Sequence, residues 1–223
     1  MRKHLEEMGF NKQFLIKNGF VELDQSAQHS DTLSLARSVG RVFNVPNMPL
    51  VQKITPKLIQ STTKNTYSGN YGLDEFPLHT DLAHWYLPPR FFILRCIEAD
   101  PKVFTLFLSK EKVLKGLPSS TLKRAIFKPR RKLKGKQSLL RIVQNDIFRW
   151  DEKFITPQND EAHKVVSHIN ELRGLEDISH FCFNVSGQAL LIDNWKTLHG
   201  RSKVDEVDST REIERIYMTE IKS

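Results

Sequence analysis

The residues with most chemistry to offer are His79 and Asp81, either side of Thr80, and then His199 and Arg211 far downstream. Two imidazoles and one carboxylate can grip one face of a divalent metal such as ferrous iron and leave the opposite positions open. Open positions on iron are what dioxygen and a chelating keto acid need. A His-x-acid pair alone is weak, because His29-Ser30-Asp31 and His4-Leu5-Glu6 have the same form. Asp31, however, opens a helical pattern and reads as its cap, and His4 lies in a charged N-terminal helix. His79 instead leads into the apolar, aromatic stretch from Leu82 to Tyr86. If a strand starts there, residues 79 and 81 project from one face and can share a metal.

The elements that must position these groups are mostly strands. Short apolar runs at residues 91–97, 103–108, 139–143, 180–184, 189–193 and 212–218 are bounded by Pro, Lys, Gly or polar residues and read as strands. The 189–193 run breaks at Asp193-Asn194, and a short segment then delivers His199. On a terminal strand Arg211, Ile213, Arg215 and Tyr217 share one face, which puts two guanidiniums toward one interior. Buried guanidiniums want anions, and a carboxylate is the best geometric match. Two helices stand out by apolar spacing. One runs from Ser30 or Asp31 to about Phe43, closed by Asn44-Val45-Pro46. The other runs from Asn159 to Arg173, stopped by Gly174. Many strands with peripheral helices give a mainly β sandwich or barrel; helices and strands do not alternate as a doubly wound parallel sheet requires.

At 223 residues the chain reads as one domain. No apolar run approaches the roughly 18 residues of a membrane span, and the charged N-terminus has no signal-peptide core. Cys96 and Cys182 lie in apolar runs and read as small buried thiols of a reducing, cytoplasmic setting. The net charge of +8 is local: residues 123–136 hold eight Lys or Arg and no acid. The ordinary reading is a solvated hairpin or loop.

Taken in order, Phe76-Pro-Leu-His-Thr-Asp81, the block Asp193-Asn-Trp-Lys-Thr-Leu-His-Gly-Arg201 and Arg211-xxx-Arg215 resemble the Fe(II)/2-oxoglutarate dioxygenases of the taurine dioxygenase type. The distal block is similar to that of the γ-butyrobetaine hydroxylases. The resemblance covers roughly residues 64–220. It implies a double-stranded β-helix (a jelly roll, clavaminate synthase-like), with residues 1–60 as a helical flank and 61–223 as the core. It implies His79, Asp81 and His199 as iron ligands, and Arg211 with Thr105 on the distal carboxylate of 2-oxoglutarate. Arg215 and Arg149 would then be substrate contacts. The implied activity consumes dioxygen and 2-oxoglutarate, releases succinate and carbon dioxide, and by default hydroxylates a small anionic or zwitterionic metabolite. One departure is the segment Ala99-Asp-Pro-Lys-Val-Phe104, which lacks the Gly-Gly often found before that threonine.

Other readings compete. A zinc hydrolase could use the same trio, though it leaves Arg211 and Arg215 without a task. A nucleic-acid-binding protein could use the basic stretch, though no aromatic residue interrupts the basic core for stacking. His84 rivals His199 as a ligand but reads better as an aromatic neighbour. His163 and His168 read as solvent-facing, and His180 as structural. Trp85, Trp150 and Trp195 read as core or pocket wall.

Overall fold

The computed structural model describes residues 10–24, 28–62, 66–131, 138–172, 178–205 and 209–222. Helix α1 (Lys12–Asn18) runs into strand β1 (Phe20–Glu22) through Gly19, whose φ of 77° suits glycine. Helix α2 (Thr32–Val39) is followed by β2 (Gly40–Val42) and β3 (Gln52–Ile54). Helix α3 (Tyr67–Tyr71) precedes β4 (Phe76–His79), β5 (Phe91–Glu98) and β6 (Phe104–Ser109). Helices α4 (Lys110–Leu114) and α5 (Ser119–Arg124) lead to the short strands β7 (Ile126–Pro129), β8 (Leu140–Arg141), β9 (Val143–Gln144), β10 (Ile147–Phe148) and β11 (Ile155–Pro157). Helix α6 (Asp160–Glu171) comes before β12 (Ser179–Cys182), β13 (Ala189–Asp193), β14 (Thr197–Arg201) and β15 (Glu212–Ile221).

The strands form two main antiparallel sheets. The larger has the order β1-β13-β5-β15-β2, with β3 also on β15; the smaller has the order β12-β6-β14-β4. Alternation of side chains between two covered faces explains why β13 and most of β5 are buried on both sides, as is the Ile216–Met218 part of β15. Phe92, Leu94, Leu190, Ile192, Ile213 and Tyr217 point into the interior between the sheets. Phe91, Ile93, Leu191, Ile216 and Met218 point out, beneath α1 and α2. A third core joins α6 and the β7, β8 and β11 sheet to Leu108 and Leu198 of the smaller sheet. This is the mainly β jelly roll expected, and no helix among the described residues is long and apolar enough to cross a membrane.

Three expectations about the elements change. Asp31 does cap α2, accepting from Ser34 N at 2.7 Å, but the helix stops at Val39. Gly40 and the two residues after it pair with the end of β15. A Cβ at Gly40 would lie 2.1 Å from the Glu220 carbonyl oxygen, so sheet pairing at close approach overrides helical periodicity. The N-terminal flank is likewise not helical alone, since it gives β1, β2 and β3 to the larger sheet. Finally, the 139–143 run splits into β8 and β9. The proposed stop of α6 at Arg173 and Gly174 and the segment around His4 lie outside the described residues.

Candidate metal centre

His79 ends β4, and His199 sits directly opposite it on β14. The chain then turns, which corrects the expected strand start: Leu82 has φ of 54° and residues 82–86 form turns. Asp81 therefore reaches the histidines from a turn and not from a shared strand face. Its Oδ1 lies 3.7 Å from Nε2 of His79 and 3.7 Å from Nε2 of His199. The three candidate ligand atoms all fall within 4.8 Å of one another, and among the described residues no other such trio exists.

Several contacts preset this trio. His79 Nδ1 is 2.8 Å from the Pro77 carbonyl oxygen, so that nitrogen carries the proton and Nε2 offers its lone pair inward. The Tyr67 ring stacks on His79 at 4.0 Å, and Phe92 packs 4.8 Å from His199. Gly200 allows β14 to approach β4, because a Cβ there would meet the Phe76 carbonyl oxygen at 2.6 Å. Asn194 holds the Asp81 backbone from both sides: Oδ1 accepts from Asp81 N at 2.8 Å, and Nδ2 donates to Asp81 O at 3.0 Å.

Electrostatics favours metal-ready protonation states. Burial opposes ionisation of Asp81, but Arg215 and the histidines outweigh it and hold the carboxyl well below its usual range. Burial pushes His199 down to about 4, helped by His79 and opposed by Asp81. An ionised carboxylate beside two imidazoles is the donor set that suits ferrous iron with open positions.

A cavity of about 860 Å³ opens from this trio and is also lined by Thr105, Arg211, Arg215 and Tyr217. The expected face of β15 is thus borne out in geometry. Arg211 is buried, donates through Nη2 to Thr105 Oγ1 at 3.3 Å, and leaves Nε without a partner. Among the described residues it forms no ion pair at contact distance, and burial lowers it to about 10 against the weaker opposing pull of Cys96 and Asp100. A buried guanidinium on one weak hydroxyl contact is a site built for an anion. Arg215 is engaged: Nη1 spans both Asp81 oxygens at 3.0 and 2.8 Å, while Nε and Nη2 donate to Gln52 Oε1.

Arg149 does not fit its expected role as a substrate contact. It is fully buried behind the turn and donates to the carbonyls of Ala83, Trp85 and Tyr86. Those three carbonyls follow Asp81 closely, so Arg149 holds the turn rather than a ligand. His84 lines the cavity but stands outside the trio. His163 is exposed, whereas His168 is half-buried with Nε2 3.0 Å from the Val113 carbonyl oxygen, a correction to its solvent-facing reading. His180 is exposed on β12. Trp150 is core, and Trp85 packs at the edge of the interior. Both cysteines are free, but Cys182 is only half-buried. Gln52, Tyr67 and Asp151, which line the cavity, and Asn194 behind the trio have no role assigned to them from the sequence. Only Asn194 left a trace there, as a polar residue ending an apolar run.

No known protein-family model and no curated protein matches the chain. Solved structures do. Asparagine oxygenase in complex with Fe(II), hydroxyasparagine and succinate aligns with a TM-score of 0.60 and 21% identity, over 76% of this chain and 56% of that one. PvcB from Pseudomonas aeruginosa aligns with a TM-score of 0.65 and 20% identity, over 93% and 78%. The non-heme iron oxygenase OrfP with Fe and α-ketoglutaric acid gives 0.65 and 17%, over 83% and 62%. The fold is the double-stranded β-helix. The chain spans less than two thirds of the length of asparagine oxygenase and OrfP, and at these identities the likeness speaks for the fold.

Proposed function

We propose that this chain is a ferrous iron and 2-oxoglutarate-dependent oxygenase of the taurine dioxygenase type, acting on a small anionic or zwitterionic metabolite of amino-acid kind. One observation carries the reading: a single cavity joins an open-faced His-Asp-His trio to a buried arginine that has no anion of its own. A hydrolytic zinc site would use the trio and leave Arg211 and Thr105 idle. Structures similar in fold hold hydroxyasparagine with succinate, or hydroxyarginine with succinate, which supports both the cosubstrate and the amino-acid class.

In this reading His79, Asp81 and His199 hold the iron, and Asp81 is the only anionic ligand. Arg211 and Thr105 take the distal carboxylate of 2-oxoglutarate, giving Arg211 the charge partner that its burial demands. Arg215 steadies the Asp81 carboxylate and can also meet an anionic group of the substrate. Phe92, Leu94, Ile213 and Leu82 form the apolar wall that keeps water from the reacting centre. With both groups bound, iron and 2-oxoglutarate supply oxidative decarboxylation to succinate and carbon dioxide, coupled to oxidation of a substrate C–H by dioxygen. The free cysteines fit a reducing compartment.

The test is succinate formation from 2-oxoglutarate in air. Fe(II)-dependent succinate above background, increased by an amino acid from a screening panel, is expected. No succinate with Fe(II), together with ester or amide hydrolysis on loading zinc, would give the trio to the rival chemistry.

A further inference from the structure

The basic stretch singled out in the sequence has a place at the same cavity. Lys123 and Arg124 end α5, and Lys128 lies in β7, which pairs antiparallel with β8, so the described part of the stretch is a helix end and one arm of a hairpin, with Lys123, Arg124, Arg130 and Arg131 exposed. Residues 132–136 lie outside the described residues. Arg130 and Arg131, which follow β7, line the cavity together with Lys57 and Lys153. These four come from three separate chain segments.

The cavity wall holds eight Lys or Arg against two carboxylates, Asp81 and Asp151. The inner cations have tasks. Arg201 donates to the carbonyls of Gly72 and Asp74, Arg215 pairs with Asp81, and Arg211 awaits the cosubstrate. Lys53 pairs with Glu212. The outer four are different. Lys57, Arg130 and Arg131 are exposed, and Lys153 is half-buried with Nζ 4.8 Å above the Tyr71 ring. Arg130 donates to the Glu152 carbonyl, while Lys57 and Arg131 form no ion pair among the described residues. The burial gradient therefore places the trio at the floor and these cations at the mouth.

Charge bookkeeping then limits the substrate. Two positive charges on iron cancel two negative charges on 2-oxoglutarate, so the loaded site keeps its cationic excess. A zwitterionic amino acid adds nothing to offset it. We infer that the substrate carries a phosphate group at the end remote from the oxidised carbon, bound at the mouth by Lys57, Arg130, Arg131 and Lys153. Arginine forks match phosphate oxygens in pairs, and lysine adds point charge.

This inference rests on the oxygenase reading, and the test separates the two. Calorimetry on the anaerobic Fe(II)·2-oxoglutarate protein would compare O-phospho-L-serine, L-glutamate and L-serine. O-phospho-L-serine is expected to bind at least about tenfold more tightly than L-serine, with an advantage that shrinks as salt is added. In K57Q/R131Q that advantage should fall by about tenfold, while K17Q/K164Q, which removes the same charge elsewhere, should retain it. Equal binding of L-serine, or an undiminished advantage in K57Q/R131Q, would overturn the proposal. Equal binding of L-glutamate would replace phosphate by carboxylate and overturn it in its stated form. If the Fe(II)·2-oxoglutarate complex does not form, the oxygenase reading fails, and the same comparison on metal-free protein still judges the mouth.

Discussion

The turn after His79 has two sides, and they spend their polar groups differently. Behind it, Arg149 gives its Nη groups to three backbone carbonyls, Asn194 brackets the Asp81 peptide, and Thr80 N donates to the Trp150 carbonyl at 2.7 Å. In front, Arg211 has one 3.3 Å contact to a hydroxyl, and Nδ1 of His199 has no partner. Both arginines are buried, and each leaves its Nε unpaired. The distinction is therefore not burial but whether the remaining donors are consumed by the protein. Where they are, the residue holds the scaffold; where they are not, and a cavity adjoins, the residue waits for a ligand.

The largest effect separates the front of the turn from a merely structural cluster. Asp81→Ala should abolish Fe(II)-dependent succinate formation, a loss beyond the roughly 10- to 100-fold typical of a supporting group at a metal site. Near-normal turnover in that variant would remove Asp81 from the ligand set. The arginine pair gives a reciprocal test. Arg149→Leu strands three carbonyls and should lower stability by about 3 kcal/mol in urea unfolding, leaving the half-saturation for 2-oxoglutarate little changed in the folded protein. Arg211→Leu removes a desolvated charge that has no native partner. It should leave stability level or raised, but raise that half-saturation by about tenfold or more. If the two variants behave alike, the contrast between the two sides is wrong.

A pH titration probes the front alone. His199 is held at about 4 against an ordinary 6.5, so between these values the unfolded chain binds a proton that the folded metal-free protein does not. Stability from this group is present above pH 6.5 and is lost as the pH falls toward 4, by up to about 3 kcal/mol. His199→Gln should flatten that part of the metal-free stability profile. Last and smallest, Thr105→Val should raise the half-saturation for 2-oxoglutarate only a few-fold, the scale of one hydrogen bond.

What the sequence disclosed follows from what periodicity can encode. The face shared by Arg211, Ile213, Arg215 and Tyr217 was legible because a strand alternates strictly, and all four line the cavity. The trio was legible as residue types in order, but its geometry was not. Asp81 arrives through a turn set by the left-handed backbone of Leu82 and by Asn194, contacts between residues far apart in sequence. The end of α2 at Gly40 depended on the approach of β15, which helical spacing cannot show. The role of Arg149 is not legible in sequence, because an arginine looks the same there whether it meets a ligand or, as here, backbone carbonyls. Only the tertiary contacts tell these apart.

The most direct measurement of the central claim is anaerobic titration of the protein with Fe(II) and then 2-oxoglutarate, followed in the visible spectrum. A weak charge-transfer band that appears with the keto acid, and is absent in His79→Ala, is the expected result. Tight metal binding without any such band would contradict the account, because it would mean that the trio and Arg211 do not serve one chelated keto acid.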